Sequence, residues 1–133
     1  MTRASSLLGA AAVLSFLFVA PAYATGTISC VGVAGADASV DITVSSTIVP
    51  DVLALTATIG GETFSTRAGV GTPIAVAQDL DDGTQLRIEA TDDQALERLV
   101  SVTVVRAEGK DGPVQAGILT GRISSAPIVC EGP

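Results

Sequence analysis

No histidine and no tryptophan occur in the 133 residues, which hold one tyrosine, three phenylalanines, one methionine and two cysteines. Without histidine there is no Ser-His-Asp or Cys-His nucleophile, no imidazole site for zinc or copper, and no side chain that serves unperturbed as a general base near neutral pH. Two cysteines are too few for zinc held by thiolates alone. The sole lysine, Lys110, lies in the turn-like stretch Glu108-Gly109-Lys110-Asp111-Gly112-Pro113, a solvated setting that argues against a Ser-Lys dyad. Two carboxylates at the right separation suffice for glycoside hydrolysis. A sugar cleft here would nevertheless have no tryptophan platform, and the sole tyrosine, Tyr23, lies in the apolar N-terminal stretch. The composition therefore points away from enzymes.

Cations are also scarce, with seven Lys and Arg against fourteen Asp and Glu. Nucleic acid and anionic lipid both need cationic surface to displace counterions, so neither is an expected partner. Another protein, if anything, is.

The first residues carry one early charge, Arg3, followed by the apolar run Leu7 to Ala20 and then Pro21-Ala22-Tyr23-Ala24. A basic start, a short apolar stretch and an A-x-A site are the three parts of a cleaved export signal. The run is shorter than the roughly 20 residues of a spanning helix and ends in proline. The upstream neighbours of Cys30 are Thr27-Ile28-Ser29, which is no lipidation site, so no stable membrane insertion is expected after cleavage. The reading is a signal peptide over residues 1–24 and one acidic domain over 25–133, periplasmic or secreted. Removing the leader takes Arg3 with it and leaves six cations against fourteen acids, a net charge of −8. It also removes Phe16, Phe18 and Tyr23, so Phe64 becomes the one aromatic residue and the core must be built from Val, Ile, Leu and Ala.

What remains alternates with period two. Val40, Ile42 and Val44 are interleaved with Ser39, Asp41 and Thr43, and Gln85 to Ala90 repeats the pattern, as half-buried strands do. Gly60-Gly61 separates Val52–Ile59 from Glu62–Arg67 and supplies the positive φ values of a two-residue hairpin. Further strands are expected over 74–77, 101–107, 114–123 and 127–130. Thr91 and Gln94 have capping-box spacing and Leu96 and Leu99 fall on one helical face, which predicts a short helical connector near 92–98. Eight or nine short strands predict an all-β fold, a small two-sheet antiparallel sandwich or alternatively a small barrel.

Cys30 and Cys130 fall in the first and last strands. In an exported chain they are expected to form a disulfide, which makes those strands neighbours, because the bond needs Cα atoms within roughly 7 Å. The spacing is not the C-x-x-C of a redox-active pair.

One stretch has metal chemistry in it. Asp79-Leu80-Asp81-Asp82-Gly83-Thr84 departs from an EF-hand loop at its fifth and twelfth positions, Gly83 and Ala90. Antiparallel topology returns Glu108 and Asp111 to the same end of the sheet, so a composite calcium site from Asp79, Asp81, Asp82, Glu108 and Asp111 is a candidate. Asp92 and Asp93 fall about 20 Å away at the other end. The competing reading is that Asp and Gly are ordinary turn residues. The five strand arginines, Arg67, Arg87, Arg98, Arg106 and Arg122, read as solvent-face partners of acids on neighbouring strands. Phe64 beside the hairpin reads as a core anchor, and as the leading partner contact if exposed.

The expectation is a non-enzymatic exported β-protein acting by protein recognition or as an accessory structural module of the cell envelope. The alternatives are a calcium-dependent binding module and an acidic inhibitor of an exogenous hydrolase. No cofactor beyond that candidate calcium is expected.

Overall fold

The computed structural model describes residues 25–133; the expected signal peptide over residues 1–24 and its expected cleavage site lie outside the described residues. The described chain forms ten strands: β1 (Thr25–Gly32), β2 (Ala38–Ser45), β3 (Val52–Ile59), β4 (Glu62–Ser65), β5 (Thr72–Pro73), β6 (Ala75–Asp81), β7 (Gln85–Thr91), β8 (Arg98–Gly109), β9 (Gly112–Thr120) and β10 (Ser125–Glu131). The all-β expectation holds. One 3-10 turn, Val33–Gly35, is the only helical element among the described residues.

All ten strands belong to one hydrogen-bonded sheet in the order β5-β4-β3-β2-β1-β10-β9-β8-β7-β6. Apart from the short parallel pair β4–β5, every pairing is antiparallel. The sheet curls until its ends nearly meet. It is thus a nearly closed barrel, the alternative architecture, and not two separate sheets. The reason lies in β1 and β10, which pair at the centre of the order and so join the N-terminal and C-terminal halves into one continuous ladder.

Alternation decides what goes inside. Ile28 and Cys30 of β1, Val40 and Ile42 of β2, Leu55 and Ala57 of β3, Leu86 and Ile88 of β7, Val102 and Val104 of β8, Leu119 of β9 and Ile128 of β10 are all buried. The core is aliphatic, with Phe64 its one ring at 1% exposure. That burial leaves Phe64 an anchor and removes it as a surface contact. The Gly60-Gly61 turn forms as expected, at φ of 60° and 81°, with Ile59 opposite Glu62.

The helical connector near 92–98 does not form. Asp92 N–H donates to the Glu97 carbonyl at 3.0 Å and closes a loop, Asp92 Oδ1 accepts from Leu96 N–H at 2.8 Å, and Ala95 takes φ 56°. A left-handed residue there ends any right-handed turn. Leu96 consequently points to solvent at 79% exposure while Leu99 is buried, so the two do not share a face.

The ends of the sheet meet at a seam. The chain crosses from β5 to β6 through Ile74, which sits in the core, and β6 then runs beside the first residues of β3. No backbone ladder joins β6 to β3; Val52 N–H instead donates to Asp79 Oδ2 at 3.0 Å. Asp79 and Asp81 stand opposite the buried Ile88 and Leu86, which puts two charges on the inner side of an edge strand, Asp81 half-buried and Asp79 exposed at the seam, and a bulge between Val76 and Gln78 bends that edge. Both features are ways of keeping an open edge from pairing with another chain.

Candidate functional site

The β6–β7 turn organises one end of the barrel. Asp82 Oδ1 accepts from Thr84 Oγ1 at 2.8 Å, Thr84 N–H at 2.9 Å and Gln85 N–H at 2.7 Å, the local bonding that makes Asp a turn residue. These bonds, the Thr84 hydroxyl first, hold its carboxyl below the ordinary carboxylate value. Asp81 Oδ1 accepts from Gly83 N–H at 3.0 Å and from Arg106 Nη1 at 2.5 Å. Burial of Asp81 disfavours its charged form. The Arg106 hydrogen bond, the Gly83 N–H and the guanidinium charge together outweigh that cost, and the carboxyl is held below its usual range.

Arg106 differs from the other strand arginines. Arg87 and Arg98 lie on the outer surface and both reach Glu89, at 3.2 and 3.5 Å, and Arg122 stands 3.9 Å from Glu97. Arg106 is in phase with the inward Val102 and Val104. It reaches past the end of β7 to Asp81 of β6 and donates through Nε to Gln115 Oε1 at 3.2 Å. Above this pair opens a cleft of about 660 Å³, rimmed by Val44, Ile48, Pro50 and Pro133. Asp81 and Arg106 at its floor are paired with each other, and Ser45, Ser46 and Thr47 also line it.

The five candidate calcium ligands do not assemble. Asp79 is bonded to Val52 N–H, Asp81 to Arg106, and Asp82 to its own turn. Glu108 and Asp111 are displaced by register. The β7–β8 ladder ends at Gln85 opposite Val105, whereas the β8–β9 ladder continues to Gly109 opposite Gly112. Four further residues carry the hairpin tip, with Asp111, about 13 Å past the last paired residue of β7, while Glu108 lines a cleft beside Gly83 and Thr84. Among the described residues no three acidic or cysteine side chains stand close enough to hold a metal ion.

Cys30 and Cys130 are paired residues of β1 and β10, with Cα atoms 4.0 Å apart, and their disulfide is buried. It fits a non-reducing compartment. No helix among the described residues is long and apolar enough to cross a membrane.

The outer surface is divided. Across β2, β3 and β4 it carries hydroxyls that bond one another between strands, Thr56 with Ser65 at 2.8 Å and Thr58 with Thr63 at 3.0 Å, while Asp41 accepts from Ser29 of β1 at 2.7 Å. Across β10, β9 and β8, with Val31 at the end of β1, it carries an aliphatic patch bordered by Ser29, Ser101, Thr103 and Thr120. Val31 stands opposite Val129, Val129 opposite Ala116, and Ala116 opposite Val105, one row over four adjacent strands. The next row places Pro127 opposite Ile118. Val31, Val129, Val105 and Ile118 are 58%, 42%, 53% and 54% exposed, and Glu131 and Arg87 lie only at the margin. The sequence marks this face in its broken alternation: Cys30-Val31, Val104-Val105, Ile118-Leu119 and Ile128-Val129 are apolar doublets in which one member is buried and the other faces out.

Comparison with protein-family models, curated proteins and solved structures finds no match to this chain. Its functional reading therefore rests on this geometry.

Proposed function

We propose that this chain is an exported, non-enzymatic binding module of the cell envelope or the extracellular space, which recognises protein through the outer face of β1, β10, β9 and β8. The observation that carries the reading is the charge-free row Val31–Val129–Ala116–Val105 on a molecule that is otherwise acidic. Contiguous exposed apolar surface of a few hundred Å² marks interaction sites. Its distribution differs from that of a membrane barrel, whose apolar residues form a complete outer band around a polar lumen; here the interior is apolar and half of the exterior is hydroxylated. The complete absence of histidine, the internal pairing of Arg106 with Asp81, and the buried disulfide favour a scaffold over a catalyst.

Site-specific photocrosslinking in the native compartment tests the reading. A probe at position 118 is expected to give a protein adduct, and one at Thr43, on the hydroxyl face, none. Absence of an adduct from positions 118, 129 and 105 alike overturns it.

A further inference from the structure

We infer that the partner covering this face is a second copy of the chain, docked sheet against sheet about a twofold axis; the inference rests on the protein-binding reading above and names its partner. Three observations carry it.

The first is composition. Non-obligate interfaces are no more apolar than ordinary protein surface and take their energy from a few Trp, Tyr or Arg anchors in pockets, whereas homodimer interfaces are more apolar and poor in charge. Val31, Val129, Ala116, Val105, Pro127 and Ile118 include no anchor and no charge. They are short, stiff side chains that lose little freedom when covered.

The second is shape. Rows of Val, Ala, Pro and Ile on a pleated surface offer no projecting anchor and only a shallow hollow beside Ile118 and Pro127, and their natural complement is another aliphatic sheet face, as between the layers of a sandwich. An isologous contact supplies one without further design, since the same patch meets itself. The first row, Val31–Val129–Ala116–Val105, crosses four strands, and the second, Pro127–Ile118, crosses two before it meets Thr103.

The third is charge. Two copies each carrying −8 over residues 25–133 repel one another, and only a face lacking acids brings them together without placing like charges in contact. A cationic protein would instead dock on the acidic loops, and this face offers it nothing. Self-association therefore strengthens as salt screens the net repulsion, while docking of a cationic partner weakens.

Sedimentation velocity on the oxidised protein, over a hundredfold concentration range at low and moderate salt, tests the inference. The expected result is a monomer–dimer equilibrium with Kd of roughly 10 µM or below, tightened by salt. Ile118→Glu should raise Kd about tenfold or more, and Thr43→Glu, on the hydroxyl face, should leave it unchanged. Unaltered circular dichroism and melting of both variants ensure that folding is not being read. A monomer at all concentrations and salts, or a dimer indifferent to Ile118→Glu, overturns the inference. A monomer whose position-118 probe still crosslinks to a different protein overturns the second copy as partner while leaving the binding face intact.

Discussion

Cys30 and Cys130 are separated by 100 residues in sequence and stand directly opposite one another in the central strand pair of the barrel, with Cα atoms 4.0 Å apart. The bond closes nearly the whole domain into one loop. In the chain-entropy account a loop of about 100 residues restricts the unfolded state by up to ~4.7 kcal/mol, comparable with the total stability of a small domain. Reduction, or the double substitution Cys30→Ala/Cys130→Ala, should lower Tm by well over ten degrees without altering the ladder of the surviving native state. Differential scanning calorimetry with and without reductant checks this, and a Tm unchanged by reduction would contradict it.

Arg106 and Asp81 predict an acid-labile contribution. Asp81 has a depressed pKa in the folded protein, so its stabilisation is present above the unfolded value of about 4 and is lost as pH falls through the lower folded value. Arg106→Met should cost about 1–3 kcal/mol at neutral pH by leaving a covered carboxylate unpaired. It should also flatten the decline in stability below pH 4. Urea denaturation from pH 2 to pH 7 on both proteins measures the two slopes.

At Gly117 β9 packs tightly on β8: a Cβ there would run into the Thr103 carbonyl. The obstacle is backbone, which cannot swing aside as a side chain would. Gly117→Ala should therefore destabilise by about 1–3 kcal/mol or more, whereas Ala116→Gly, on the open face next to it, should cost little beyond strand entropy. Equilibrium unfolding of the pair separates steric conflict from propensity.

Asp79 predicts the behaviour of the seam. Asp79→Val removes both the partner of Val52 N–H and an inward charge on the edge strand. Amide exchange should accelerate at Val52, and the exposed β6 edge should become prone to strand pairing, seen as increased light scattering on storage. Slow exchange at Val52 in the variant would show that the seam is held by something else.

Much of this fold is legible in the sequence because its signals are local. Val40-Asp41-Ile42-Thr43-Val44 and Gln85 to Ala90 alternate cleanly and form β2 and β7, Gly60-Gly61 can be read as a hairpin from the glycines alone, and the disulfide fixes β1 beside β10. What is not legible depends on register. Whether Glu108 and Asp111 reach Asp82 is decided by how far the β8–β9 ladder runs past Val105, and no residue type records that length. The 92–98 connector was ambiguous in kind, because Asp92 caps a loop with the same side-chain bond it would use to cap a helix. Arg106 could have been placed inward, since it continues the Val102, Val104 phase. The exposed aliphatic patch is likewise legible in the apolar doublets, where a strict period of two cannot bury both members.

The position of the disulfide also decides how the molecule bears load. Tension applied to the chain on either side of the bond enters at Cys30 and leaves at Cys130, so it passes through one covalent link between adjacent strands. Everything from Val31 to Val129, including the aliphatic face and the seam, lies off the path of the force. A domain wired this way can be tethered and pulled without being unravelled, and reduction alone would turn it from a rigid node into some hundred residues of extensible chain.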